Sequence, residues 1–542
     1  MDSYLALKAS AGSGKTFNLS VRVVTLILNG AKINSIMALT FTNKAAAEMK
    51  AKIVDLFLRL ESSDKTSELD AICQNLNKDK AWVLHRRDEL KLEFLSSNLR
   101  ISTIDSFFSS IIKSFSLNLG ISPDFKVSNQ TEFIKEIREH FISNLSKTDI
   151  KKLAEFAAND DSSKLESIFT LIESLYEKSD DFNYTLDAPF PSSKEIDKTL
   201  ARIESFFREK GLGARGLKTL EPGSPSDIVS RKFISKDSFE YWSYKSKFEP
   251  KVDEELRLLK EQLREYFNAL EEYKFSNLGH LLEIYTKTRK EIITKKNELS
   301  FADISKFTYK LLAKDDFKEL LYFRLDARIT HLLIDEFQDT NVLQYKILKP
   351  LIDEIVSGFG QNGIGSFFYV GDTKQSIYRF RGGVKELFDR LKVDYPQIQT
   401  RTLETNFRSD EVIVNFINEL FVGKDGFGYE EQKVSNKHKD MGFVKVLEAF
   451  DSVAKTAALE AKSMIDKGVR ASDIAILCWK NPDIDALKVE LDNLGIKSGG
   501  VGGELLFNTP FARAILESIK FFITNEQIYA LNVKALINKE LK

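Results

Sequence analysis

The stretch ASAGSGKT, residues 9–16, stands between a short apolar run, YLALK, and a helical pattern, FNLSVRVVTLILNG. A loop that holds a triphosphate needs inward-facing backbone N–H groups at the start of a helix, and glycines that let the backbone wrap closely. It also needs a lysine for the β and γ phosphates and a hydroxyl for magnesium. Ala9, Ser10, Ala11, Gly12, Ser13, Gly14, Lys15 and Thr16 supply these parts in order. They are the candidate nucleotide-binding residues, with Lys15 also catalytic and Thr16 also a metal ligand. The GxxxxGK[ST] template usually opens on glycine, and Ala9 takes that place here. The competing reading is a turn of small residues beside a chance Lys-Thr, and the flanking strand and helix patterns argue against it.

The loop's partners come from three later stretches. LLIDEFQDTN, residues 332–341, predicts a buried strand whose carboxyl end carries Asp335 and Glu336, the edge where α/β proteins bind ligands. Asp335 is the candidate magnesium ligand, directly or through water, and Glu336 the candidate catalytic residue that polarises an attacking water. Without a phosphate loop, such a pair reads as a solvated strand end. VGDTKQSIYRFRGG, residues 370–383, again runs from a strand into a polar turn, where Gln375 is a candidate γ-phosphate sensor and Tyr378, Phe380 and Arg381 offer two aromatic faces and a guanidinium. Aromatic faces stack on any base, worth roughly 1 to 3 kcal/mol each, which suits sequence-tolerant binding of a single strand; the duller reading is packing at a domain interface. In ETNFRSDEVIVNFIN, residues 404–418, Phe407 and Arg408 stand where a strand enters a further α/β unit. An arginine carried there reaches a γ phosphate only when a cleft closes, and otherwise reads as a surface arginine beside a helix start.

Around these motifs the chain alternates strand and helix patterns: SIMALTF and a helix from Asn43 at the front, then HLLIDEF, FFYVGD and TRTLETNF after residue 330. That alternation argues for a parallel sheet with crossover helices. Between residues 122 and 300 the pattern turns to long charged amphipathic helices, with Leu256, Leu259, Leu263 and Phe267 on one face. The turn-rich KGLGARGLKTLEPGSPSD, residues 210–227, reads as a mobile loop, and FEYWSYKSKF, residues 239–248, as ordinary helix packing. Later, FVKVLEAF (443–450) and DIAILCW (473–479) predict strands flanking a helix at 454–466, and a last helix is expected around 511–524. At 542 residues the chain exceeds one hydrophobic core. A net charge of -1 leaves any attraction to a polyanion to local patches. Cys73 and Cys478 stand alone, which gives a disulfide framework, zinc site or iron-sulfur cluster no ligands and fits a reduced cytoplasm. Neither a signal peptide nor a run of about 18 apolar residues is found.

ASAGSGKT, ALTFTNKAAAEMK, ISTIDSFFSSII, LLIDEFQDTN, VGDTKQSIYRFRGG and ETNFRS, in this order, resemble superfamily 1 DNA helicases of the UvrD/Rep type. Their wording is most similar to the RecB and AddA helicase subunits of bacterial double-strand-break processing complexes. The resemblance implies ATP and Mg2+ as cofactors, with Lys15 and Thr16 on phosphate and magnesium, Asp335 on magnesium and Glu336 as catalytic base. Gln375 and Arg408 would report on the γ phosphate, and Phe407 would stack on adenine. DNA contacts are implied for Phe41, Thr42 and Asn43, for Thr103, Asp105 and Phe107, and for Tyr378, Phe380 and Arg381.

The fold class so implied is α/β: a P-loop RecA-like parallel sheet domain (1–121 and 301–405) with a large helical insertion (122–300), followed by part of a second RecA-like domain (406–524) and the start of a further helical region (525–542). The activity implied is an ATP-dependent DNA helicase or translocase, moving 3'-to-5' on single-stranded DNA in double-strand-break repair and recombination. Its expected partners are single-stranded DNA, duplex ends and a second helicase/nuclease subunit, in the cytoplasm and away from membranes. The alternative is a nucleotide-dependent single-stranded-DNA-binding subunit without motor activity, and a small-molecule kinase would leave NKAAAEMK and YRFRGG unexplained. MDSYLALK lacks the adenine-reading glutamine common in the family, and nothing after Arg408 resembles the later motifs or a nuclease. The chain is therefore expected to be the N-terminal part of a longer protein and to hydrolyse weakly alone.

Overall fold

A computed structural model describes residues 2–128, 130–158, 165–178, 187–312, 329–357, 365–376, 383–424, 428–440, 442–449, 452–499 and 510–540. The chain forms two compact units, Met1–Gly442 and Phe443–Lys542. The first is built on β1 (Tyr4–Ala9), α1 (Lys15–Leu28), β2 (Ile36–Thr40), α2 (Asn43–Leu58), β3 (Arg100–Thr103), α3 (Ile104–Phe115), α4 (Lys251–Lys296), α5 (Phe301–Leu312), β4 (His331–Ile334), α6 (Val342–Ser357), β5 (Ser366–Gly371), β6 (Gln399–Leu403) and α7 (Glu411–Phe421). The six strands pair in the order β3-β2-β4-β5-β1-β6, every ladder parallel.

A parallel sheet needs a crossover between neighbours, which covers both of its faces and makes its strands apolar throughout. Leu5, Leu7, Ala38, Leu333, Phe368 and Val370 point into one core, and Ala6, Leu39, Leu332, Ile334, Phe367 and Tyr369 into the other. That is the period of two expected of strands buried on both sides.

The insertion has a core of its own. Leu256, Leu259 and Leu263 from the first half of α4 pack on Ile196, Leu200, Ile203 and Phe207 of the helix Lys194–Glu209, with Phe267 partly buried beside them. Leu278, Leu281, Leu282, Tyr285, Ile292 and Ile293 from its second half enter the sheet's core. One helix of 46 residues, about 70 Å at 1.5 Å per residue, therefore belongs to both. At its root, Arg289 donates to Asp303 at 2.7 and 3.0 Å, to Tyr285 Oη at 2.9 Å and to Ser300 Oγ at 2.6 Å, all buried.

Three expectations are corrected. Residues 210–227, read as a mobile loop, carry the helices Ala214–Lys218 and Pro225–Val229, the latter opened by a Ser224–Asp227 capping box, and bury Leu212 and Leu220 in the insertion's core. Within 239–248, Phe239 and Tyr244 do pack as expected, but the stretch forms a 3-10 turn at Trp242–Lys247 and not an α-helix. The strands expected at 443–450 and 473–479 do not form among the described residues: 442–449 and 474–478 carry no strand, and Val446 and Leu477 are exposed. Periodicity supplies a face but not a hydrogen-bonded neighbour, and a strand needs both. The second unit is described as the helices Val453–Asp466, Asn481–Asn493, Pro510–Thr524 and Gln527–Glu540. Ala458, Ala461, Leu487 and Leu491 form a small core in it. Cys73 and Cys478 are free thiols, and among the described residues no helix is long and apolar enough to cross a membrane.

Candidate nucleotide site at the sheet edge

Because all six strands run the same way, the segments that follow them gather at one edge. Ile334 of β4 pairs with Tyr369 of β5, which pairs with Ala6 of β1, so the phosphate loop after β1 and the acidic pair after β4 leave the sheet one strand apart. Gly12 (φ 75°) and Gly14 (φ 89°), the latter capping α1, take left-handed conformations that cost a residue with a Cβ. Ser13 tightens the loop by donating its N–H (3.2 Å) and Oγ (2.7 Å) to Ser10 O.

Lys15 Nζ donates to both carboxylate oxygens of Glu336, at 2.9 and 2.8 Å, across 321 residues of sequence. Asp335 lies beside them, its N–H on Leu39 O (2.8 Å) and its Oδ1 accepting the Glu336 N–H (2.9 Å). Burial first, then the neighbouring Glu336 charge, pushes the Asp335 carboxyl up to about 6, with Lys15 opposing. Glu336 itself has φ 50°, a sparsely populated conformation for a side-chain-bearing residue, and caps the short turn Phe337–Asp339.

A buried, desolvated carboxylate next to a second acid is a donor set suited to a hard cation. Magnesium at nucleotide sites takes one or two protein oxygens and completes its shell with phosphates and water. Thr16, half-buried in the first turn of α1, and Asp335 fit that demand and would hold it. When bound, the ion would neutralise charge developing on the phosphates. Among the described residues no cluster of three or more His, Cys, Asp or Glu offers a rival site.

Gln338 is a residue that the motif reading passed over. It is 1% exposed; its Nε2 donates to Glu336 Oε2 at 2.7 Å and its Oε1 accepts the Asp372 N–H at 3.0 Å. A backbone N–H can only donate, so the atom facing Asp372 is the oxygen and the amide group is left to orient Glu336. A Cβ on Gly371 would overlap Gln338 Oε1, which explains the glycine there. Its place inside LLIDEFQDTN was the one available signal.

The other site candidates are scattered along the same edge. Gln375 Nε2 donates to Asp372 Oδ2 (3.0 Å), whose Oδ1 also pairs with Lys374 (3.0 Å), so in this structure the expected phosphate sensor is held by its own turn. Phe407 is 60% exposed, its N–H donating to Gly12 O (2.8 Å), and the exposed Arg408 stands against the same glycine. Residues 406–442, expected to open the second lobe, lie in the first compact unit.

Of the DNA candidates, Phe41 is half-buried, while Thr42 and Asn43 are exposed at the start of α2. Thr42 caps that helix by accepting the Ala45 N–H (3.1 Å). Thr103 caps α3 by accepting the Ser106 N–H (3.0 Å), and Asp105 accepts from Gln344 (3.2 Å). Phe107 is 6% exposed and packed in the sheet's core. Its position on the apolar stripe of an amphipathic helix decides this. Tyr378, Phe380 and Arg381 lie outside the described residues.

A phosphate loop, an acidic pair and a covered parallel sheet define a nucleotide-binding α/β protein. Residues 1–396 match the family model of the UvrD/REP helicase N-terminal domain, and residues 401–541 that of the UvrD-like helicase C-terminal domain. The chain belongs to the UvrD-like helicase family. It is 25% identical over 501 residues to an ATP-dependent helicase/nuclease subunit of Lysinibacillus sphaericus (strain C3-41), covering 77% of this chain and 38% of that protein. It is 26% identical over 510 residues to the protein of the same name from Streptococcus pneumoniae (strain ATCC 700669 / Spain 23F-1), covering 80% and 39%. To the exonuclease/helicase subunit RexA of Lactococcus lactis subsp. cremoris (strain MG1363) it is 26% identical over 584 residues, covering 87% and 46%. The chain thus spans less than half the length of these curated relatives.

Proposed function

We propose that the protein hydrolyses ATP at this edge and uses the cycle to move 3'-to-5' along single-stranded DNA, as a helicase in double-strand-break repair and recombination. The observation that carries the reading is the meeting of Lys15 with Glu336, with Asp335 buried beside them. In this reading the N–H groups of residues 10–16 and the Lys15 ammonium cradle the phosphates, which draws Lys15 away from Glu336. Glu336, still held by Gln338, is then available to orient the attacking water. Phe407 stacks on adenine, while Gln375 and Arg408 sense the γ phosphate.

Residues 1–121 and 301–405 act as one ATPase lobe, 122–300 as an accessory insertion, 406–524 as part of a second lobe, and 525–542 as the start of a further helical region. Exposed Thr42 and Asn43, at the carboxyl end of β2, support a DNA track along the same sheet edge. The names of the relatives, which call each a subunit, support a second subunit as partner; work at duplex ends in the cytoplasm belongs to the same proposal.

DNA-stimulated phosphate release tests the reading, and it should disappear in Lys15→Ala and in Glu336→Gln. Binding of ATP and DNA with no phosphate release would instead leave a nucleotide-dependent DNA-binding subunit without motor activity.

A further inference from the structure

The segment after β6, opened by the short strand Thr405–Asn406, is fastened to the phosphate loop by a side chain with no part in the mechanism above. Asn406 is 5% exposed. Its Nδ2 donates to Ala11 O (3.2 Å) and to Gln432 Oε1 (3.0 Å), while its Oδ1 accepts the N–H groups of Arg408 (2.9 Å) and Ser409 (2.9 Å). A primary amide has two donor and two acceptor positions, and all four are used. The orientation is chemically fixed, because the two backbone N–H groups can only donate and the Ala11 carbonyl can only accept.

The approach is close enough to dictate a neighbour. A Cβ on Gly12 would lie 2.6 Å from Asn406 Oδ1 and 2.8 Å from Arg408 Cβ, so only glycine fits. The Phe407 N–H completes the contact on Gly12 O at 2.8 Å. Beyond Asn406 the polar path continues. Asn418 of α7 accepts the Gln432 N–H (3.1 Å) and the Tyr429 hydroxyl (2.8 Å) on Oδ1, and donates Nδ2 to Gln432 O (2.9 Å). The loop carbonyls are thereby tied, inside the first unit, to a helix within the C-terminal family domain.

We propose that Asn406 is a positioning residue, which holds Phe407 and Arg408 against the phosphate loop so that the base-side and phosphate-side contacts to a nucleotide form together. The inference rests on the reading of Phe407 and Arg408 as nucleotide contacts. Without the amide, the Arg408 and Ser409 N–H groups lose their acceptor and the Ala11 carbonyl its donor, while both nucleotide-contacting side chains remain in the chain but are no longer aimed.

The test is a cycle of equilibrium binding to the full chain, using fluorescently labelled ADP and a non-hydrolysable ATP analogue with Mg2+. Asn406→Ala should weaken the ATP analogue by about tenfold, and ADP, which lacks the γ phosphate that Arg408 reads, by less. In a Phe407→Ala/Arg408→Ala background the same change should cost no more than about twofold, because nothing is left to aim. Asn406→Asp, which keeps both acceptors and loses both donors, should fall between, and it carries the cycle if Asn406→Ala does not fold. An equal loss in both backgrounds marks a merely structural residue and overturns the proposal. So does wild-type binding by Asn406→Ala where Lys15→Ala has lost it. If Lys15→Ala itself binds like the wild type, the nucleotide-site reading fails and takes this inference with it.

Discussion

At the root of the insertion and at the edge of the sheet the chain sets a long cation against a carboxylate, in opposite surroundings. The side chains of Arg289 and Asp303 are 2% and 0% exposed. Tyr285 and Ser300 take one further guanidinium donor each, and Tyr176 donates to Asp303 Oδ1 at 2.9 Å. Burial pushes the Asp303 carboxyl up, but the Arg289 charge and hydrogen bonds outweigh it and hold it below the usual carboxylate range. The side chains of Lys15 and Glu336 are 13% and 32% exposed, at the mouth of a glycine loop. A buried pair with its partners supplied within the fold is closed to a ligand, whereas an ammonium held by one carboxylate at an open edge can exchange it for a phosphate. The lesson is that setting, more than residue type, separates a staple from a site.

That contrast can be broken by mutation, most severely at the open pair. Glu336→Gln should lower DNA-stimulated ATP hydrolysis by about 10² to 10⁴, with little change in melting temperature, as read by phosphate release and thermal unfolding. Asp303→Ala should do the reverse, costing about 3 to 5 kcal/mol of stability by leaving Arg289 unpaired in the core, as read by denaturant unfolding. A Glu336 variant that unfolds, or an Asp303 variant that does not, would dissolve the distinction.

Asp335 sharpens it. Its folded pKa, about 6 against 3.8, lies above the unfolded one, so the folded state binds the proton more tightly. Stability therefore falls as pH rises from 3.8 to about 6, and above that the ionised group costs about 3 kcal/mol. Asp335→Asn should raise the metal-free melting temperature at pH 7.5 and lose that advantage below pH 4. Because a cation must displace the same proton, Mg2+-dependent nucleotide affinity of the wild type should decline as pH drops through 6. The smallest effect is expected at Gln338. Gln338→Met should reduce kcat by about tenfold and leave KM for ATP unchanged, since it orients Glu336 without touching the loop.

What the sequence could disclose follows the same division. The sheet and its edge were legible because the inner strands are apolar on both faces and each motif begins where a strand ends: Leu332, Leu333 and Ile334 run straight into Asp335. Gln338 and Asn406 stand inside LLIDEFQDTN and ETNFRS, yet their roles were not legible, since each gains its meaning from a carbonyl, N–H or carboxylate brought in by folding. The burial of Phe107 was not legible from its motif, because a motif match does not say which way a helix faces. FVKVLEAF and DIAILCW misled because alternation predicts a face, while pairing is a property of the neighbours.

The central claim is that Lys15, Thr16, Asp335 and Glu336 gather around one metal-nucleotide. A crystal structure with a non-hydrolysable ATP analogue and Mn2+, located by anomalous scattering, tests it directly. The account predicts a single manganese peak between the Thr16 hydroxyl and Asp335, with Lys15 moved from Glu336 onto the β and γ phosphates. Phosphates bound away from residues 9–16, or a manganese peak out of reach of Asp335 while Lys15 stays on Glu336, would contradict it.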